Sequence, residues 1–170
     1  MTNNLVKYLS GGDLRSIADV DKVVSLIKTQ TDFEQLFQYL LTDDRLIVMR
    51  AADAVEKVTL HNPEYLTGHS QDVINLLNVA VDKELKWHLA LIASRLDFSA
   101  TELGMVWNKL KQWVKDKNES KIVRVNSVQA LFELANKNEG FKREFEIIVQ
   151  EIKAANIPSI NARLRKLGIK

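Results

Sequence analysis

Val48, Lys86, Arg124 and Asn161 mark one place in four successive segments, at offsets of 38, 38 and 37 residues. Around them, small or aliphatic residues fall in register: Ala51 with Leu89, Ser127 and Leu164, and Ala52 with Ala90 and Val128. Ala51–Val55 and Ser127–Leu131 read as one short helix written twice, and Lys86–Ala93 as a third copy. A period in this range belongs to stacked helical hairpins. One such hairpin cannot bury its own apolar face, so it must share that face with a neighbour.

Within the period, nearly every segment has helical spacing. Phe33, Leu36, Phe37, Leu40 and Leu41 form one apolar stripe, with Thr31 and Glu34 as the capping box that starts it. Asp43-Asp44 closes that helix and opens the next, which runs from Arg45 to about Leu60. Asn62-Pro63-Glu64 starts a short turn ended by Gly68. The next helix spans Gln71–Val81, with Val73, Ile74, Leu77 and Val81 on one side, followed by Lys83–Leu96. Ser99 and Glu102 cap a long helix to about Lys115, carrying the stripe Leu103-Val106-Trp107-Leu110-Trp113-Val114, a core pattern. Ser120–Ala135, Phe141–Ala154 and a closing helix from Pro158 complete the series. No stretch alternates cleanly as a strand would, and the short connections make successive helices antiparallel neighbours. Residues 1–30 are less regular. There Ala18–Val23 echoes Ala52–Val58 at an offset of 34 after the break at Gly11-Gly12, as a degenerate end repeat would.

Composition limits the setting. The chain has 170 residues, 46% hydrophobic and 27% charged, which suits one domain with a substantial core. With no cysteine, disulfides and thiolate metal sites are excluded. No apolar run approaches the roughly 20 residues that cross a bilayer. Met1-Thr2-Asn3-Asn4 lacks the pattern of a secretion signal, so the expected compartment is the cytoplasm. Net charge is +2, but residues 121–170 carry 10 Lys/Arg against 5 Asp/Glu. The basic end, with Arg163, Arg165, Lys166 and Lys170, suits an acidic surface or phosphate backbone, and equally suits plain solvation at a helix C-terminus.

Val123-Arg124 followed by Ser127-Val128 and Leu131 resembles the second helix of a HEAT repeat, in the armadillo-like group of α-solenoids. Leu85-Lys86 with Ala90 is a second match. Ile47-Val48 keeps Ala51-Ala52 without the basic residue, and Ile160-Asn161 departs further. The family's turn acid is only approximated by Asn118 and by Asp43 or Asp44. The resemblance covers about residues 31–168. It implies an all-α fold, a right-handed α-α superhelix of stacked hairpins in a single domain over 1–170, with degenerate capping helices in 1–30. It also implies that the second helix of each hairpin lines a concave surface holding another macromolecule.

On those second helices the polar columns are the candidate partner-binding residues. One column is Arg50, His88, Asn126 and Arg163; the next is Asp53, Leu91, Gln129 and Lys166; the third is Lys57, Arg95 and Glu133. Positions i, i+3 and i+7 share a helix face, so these columns form a polar ridge. The competing reading is the wet side that any amphipathic helix has, with Asp53 and Lys57 an ordinary i, i+4 pair. Trp87 beside His88 is either an exposed anchor or a filler between hairpins.

Catalytic signatures are missing from the sequence. His61, His69 and His88 are the only histidines, none followed by Glu and no two spaced four apart, so zinc-protease spacing does not occur. There is no phosphate loop and no nucleophile elbow. Neither a catalytic site, a metal nor a cofactor is expected. The leading expectation is a non-enzymatic scaffold or adaptor for a protein or peptide, away from membranes. The alternative is a DNA-binding protein resembling the HEAT-like alkylpurine glycosylases, built on Arg50, Lys57, Lys86, Trp87, Arg95, Arg124 and Asp53. Near-neutral charge and the interruptions at Leu91, Asn126 and Glu133 oppose it. A chaperone or lyase partner for a cofactor protein is a third idea with no residue behind it.

Overall fold

The computed structural model describes residues 5–11 and 19–169, and the regular structure among them is helical. In chain order it comprises α1 (Val6–Leu9), α2 (Val20–Leu26), α3 (Gln30–Gln38), α4 (Arg45–His61) and α5 (Ser70–Val79), then α6 (Lys83–Ala93), α7 (Ala100–Lys115), α8 (Lys121–Lys137), α9 (Lys142–Ala154) and α10 (Pro158–Lys166). Short 3-10 turns occupy Tyr39–Leu41, Pro63–Leu66 and Glu139–Phe141. Met1-Thr2-Asn3-Asn4, Gly12, Ala18 and Lys170 lie outside the described residues, so the capping segment is seen only through α1 and α2. The chain divides into two compact units, Met1–Gly68 and His69–Lys170.

In the first unit α4 is the central element, and α1, α2 and α3 pack against it. Its buried side is small and branched, with Ala51, Ala52, Ala54, Val55 and Val58, which lets neighbouring helices approach closely. Phe33, Leu36 and Phe37 of α3 fill the space opposite. Tyr65 ties the 3-10 turn back to the start of α3: its hydroxyl donates to the Lys28 carbonyl at 3.1 Å, and its own carbonyl accepts from Gln30 Nε2 at 3.0 Å.

In the second unit α8 is the hub, with α6, α7, α9 and α10 packed around it. Ten of its residues are buried, including Val123, Ser127, Val128, Leu131 and Leu134, so it shows no single apolar stripe. A helix with neighbours on several sides has little wet face left. Trp107 and Trp113 are buried in the α7 stripe, as its spacing predicts.

Helix ends show where local chemistry decides. Asp44 caps α4, accepting from the backbone N–H of Leu46 and Ile47 at 2.9 and 3.2 Å. Ser99 and Glu102 make the expected capping box on α7. On α3 the box is Thr29 with Asp32, two residues before the expected Thr31 and Glu34. The helix α5 stops at Val79 rather than Val81, because Ala80 to Asp82 are spent reversing the chain; Val81 is exposed and Leu76 is buried instead. Ser94 to Leu96 leave α6 in a tighter turn, with Leu96 N bonded to Ala93 O at 3.2 Å.

The boxes carry a pH signature. Hydrogen bonds from Thr29 and the Lys28 backbone hold the Asp32 carboxyl below its ordinary value, and the Ser99 backbone and hydroxyl do the same for Glu102. A carboxyl whose folded pKa is depressed contributes stability above its unfolded pKa, lost as pH falls through the folded one. Urea midpoints should therefore fall between roughly pH 5 and pH 2. Ser99→Ala removes a cap worth about 1 kcal/mol. It should also flatten that acid decline, and an unchanged decline would remove Glu102 from the account.

Candidate partner-binding face of the second helices

In the second unit the helices form two rows. Second helices α6, α8 and α10 lie side by side, as do first helices α5, α7 and α9. Ties along the first-helix row are Ser70 Oγ to Glu102 at 2.9 Å, Lys111 to Glu144 at 2.7 Å and Lys115 to Glu151 at 2.5 Å. The Lys111 hydrogen bond outweighs burial and holds the Glu144 carboxyl below its ordinary range.

The basic residues of the repeat pattern are structural. Lys86 Nζ sits 2.7 Å from Glu119 Oε2, with the two side chains only 16% and 11% exposed, and 5.7 Å from the Trp113 ring centroid. Arg124 Nε donates to the Val114 carbonyl at 2.9 Å. The acid expected near Asn118 is thus replaced by Glu119 for one repeat and by a backbone carbonyl for the next.

The candidate ridge divides. Of the column Arg50, His88, Asn126 and Arg163, the first three are buried at 1%, 7% and 9% exposure, while Arg163 keeps a solvent side. Arg50 Nη1 donates to the Leu9 carbonyl at 2.7 Å, closing the open end of α1. The correction has a simple cause. Each residue turns an α-helix by about 100°, and neighbouring helices cover the flanks of a second helix as well as its inner face. The solvent stripe is narrower than the polar pattern implies.

Asp53, Lys57, Trp87, Arg95, Gln129 and Glu133 keep a solvent side, each partly exposed. In the first unit Lys57 Nζ lies 3.1 Å from Asp21 Oδ1 and 3.2 Å from Asp53 Oδ2. Burial works against this ammonium, but the bond to Asp21 and the field of Asp53 outweigh it and raise its pKa. Trp87 is half-buried, edge-on to the His88 ring at 5.2 Å.

In the second unit the stripe is a hydrogen-bonded chain. Arg163 Nη1 donates to Gln129 Oε1 at 2.8 Å, and Gln129 Nε2 donates to Glu133 Oε1 at 2.7 Å. Ser94 Oγ donates to the other oxygen of Glu133. Four side chains thus join α8, α10 and the C-cap of α6. The sequence columns missed Ser94, which falls inside the expected helix Lys83–Leu96, and the half-buried Phe132, which lies on none of them. Among the described residues no three His, Asp or Glu side chains are placed to hold a metal ion. The arrangement offers fixed donors, acceptors and apolar edges.

Hairpins whose second helices pack in a row, each tied to the next by side chains one period away, define an α-helical repeat protein. A family model described as a HEAT repeat domain matches residues 12–167, and the chain belongs to the HEAT repeat family. No curated protein and no solved structure matches it. Among the described residues no helix is long and apolar enough to cross a membrane. The protein is a helical repeat scaffold, of a kind commonly used for protein interaction.

Proposed function

We propose that the chain is a non-enzymatic adaptor that holds a protein or peptide against the solvent stripe of its second helices. The supporting observation is the chain Arg163–Gln129–Glu133–Ser94, which orders polar side chains of α8, α10 and the C-cap of α6 before any partner arrives. Side chains already fixed lose less entropy on binding, so such a stripe is pre-organised where a merely solvated one is not. Trp87, Leu91 and Phe132 on α6 and α8 add partly exposed apolar surface, the kind of anchor that dominates interfaces. A carboxylate at the centre of this stripe opposes a phosphate backbone, which weakens the DNA alternative.

Immobilised protein incubated with cell lysate should retain a partner that Trp87→Ala and Leu91→Arg no longer hold, while both variants keep the helical circular dichroism of the parent. Equal recovery by both variants would place the interface elsewhere. Duplex DNA should show no affinity at low salt. Duplex binding that falls steeply as salt rises would replace the adaptor reading by the nucleic-acid one.

A further inference from the structure

A cavity of about 560 Å³ lies in the second unit, at the edge where first helices turn into second helices. Its apolar wall is Ile152, Ala155 and Ile157, and its charged groups are Lys115, Lys117, Arg124 and Glu151. Three cations thus face one carboxylate, and they are not equivalent. Lys115 is paired with Glu151 at 2.5 Å, which neutralises both. Arg124 is only 5% exposed, and its Nε bond to Val114 O is the one it makes among the described residues. Lys117 is exposed and has no ion-pair partner among them.

A largely buried guanidinium whose hydrogen-bond partner is a neutral carbonyl lacks the counter-charge that buried ions require. The cavity it lines gives such a counter-charge a way in. The helix α10 contributes independently. Ile157, part of the cavity wall, is its N-cap and supplies no side-chain cap, so the N–H groups of Ser159 and Ile160 begin a nine-residue helix without one. Helix N-termini of this kind favour negative charge.

We infer that this cavity binds a small oxyanion carried on an apolar body, a phosphate monoester or a carboxylate. Arg124 and Lys117 hold the anion through charge-assisted hydrogen bonds, and Ile152 and Ile157 pack against the apolar part. The site is separate from the stripe described above: Arg124 and Glu133 are nine residues apart along α8, about 14 Å.

The test is an amide-resolved NMR titration of the full chain with phenyl phosphate, benzoate and inorganic phosphate. Phenyl phosphate should give saturable shifts at Lys117, Ser159 and Ile160. Lys117→Glu should weaken its affinity by roughly tenfold or more, as should Arg124→Gln, which keeps an amide donor for Val114. Gln129→Ala should leave it unchanged. Benzoate binding as well would assign the site to oxyanions generally, and phenyl phosphate binding alone would assign it to phosphates; either supports the inference. No saturable shift with any of the three anions would overturn it. So would equal affinity in Lys117→Glu, a change at an exposed turn residue that leaves the fold intact.

Discussion

Arg50→Ala should cost about 4 kcal/mol, more than any other single polar substitution described. The side chain is 1% exposed, so its removal opens a large cavity, and it strands the Leu9 carbonyl that Nη1 reaches at 2.7 Å. Arg50→Met, which refills most of the volume, should recover about half of that, since the packing is then largely kept while the polar contacts, the bond to the Leu9 carbonyl among them, are lost. The clearest readout is hydrogen exchange. The helix α1 has four residues, too short to persist alone. Its Leu9 and Ser10 amides, bonded to Leu5 and Val6, should lose protection in both variants. Retained protection would show that α1 is held by Leu5 and Leu9 packing instead.

Trp107→Ala should be as severe, at about 3–5 kcal/mol, or a fall in Tm of roughly 10 °C for a chain of this size. Trp107 is 1% exposed, and its ring centroid lies 4.4 Å from that of Phe141 at an interplanar angle of 37°. Phe141 belongs to the 3-10 turn that carries the chain into α9, so the pair fixes where the last hairpin starts. Phe141→Ala should cost less because that ring is partly exposed, and the double variant should show a coupling of about 1 kcal/mol. Additive losses would mean that the two rings touch without depending on each other.

The period carries most of what could be read in advance. Ala51, Leu89, Ser127 and Leu164 share one register, and all four are buried at 1% exposure or less. The α7 stripe and the Asp44 and Ser99 caps were likewise legible, because each depends on residues within one helical turn. The α3 cap was not, since Thr29-x-x-Asp32 and Thr31-x-x-Glu34 both satisfy the local pattern. Glu34 instead accepts from Gln30 Nε2 at 2.5 Å, while Asp32 bonds the Thr29 backbone.

The candidate site was half legible, for a different reason. Repeat register says which residues occupy equivalent positions but not how far each helix is rotated about its axis. Arg50, His88 and Asn126 are polar, and a polar residue covered by neighbouring helices looks like a solvated one until those neighbours are placed. Ser94 with Glu133 was hidden in another way: the two are 39 residues apart, one step off the columns, so no aligned position links them.

The side-chain ties within the second unit have one more property. Lys86 to Glu119, Lys111 to Glu144 and Gln129 to Arg163 span 33, 33 and 34 residues, a few short of one period, and each joins one hairpin to the next. A substitution that breaks one of them therefore loosens a single seam. Damage to such an array stays local, because the remaining hairpins keep their own side-chain bonds.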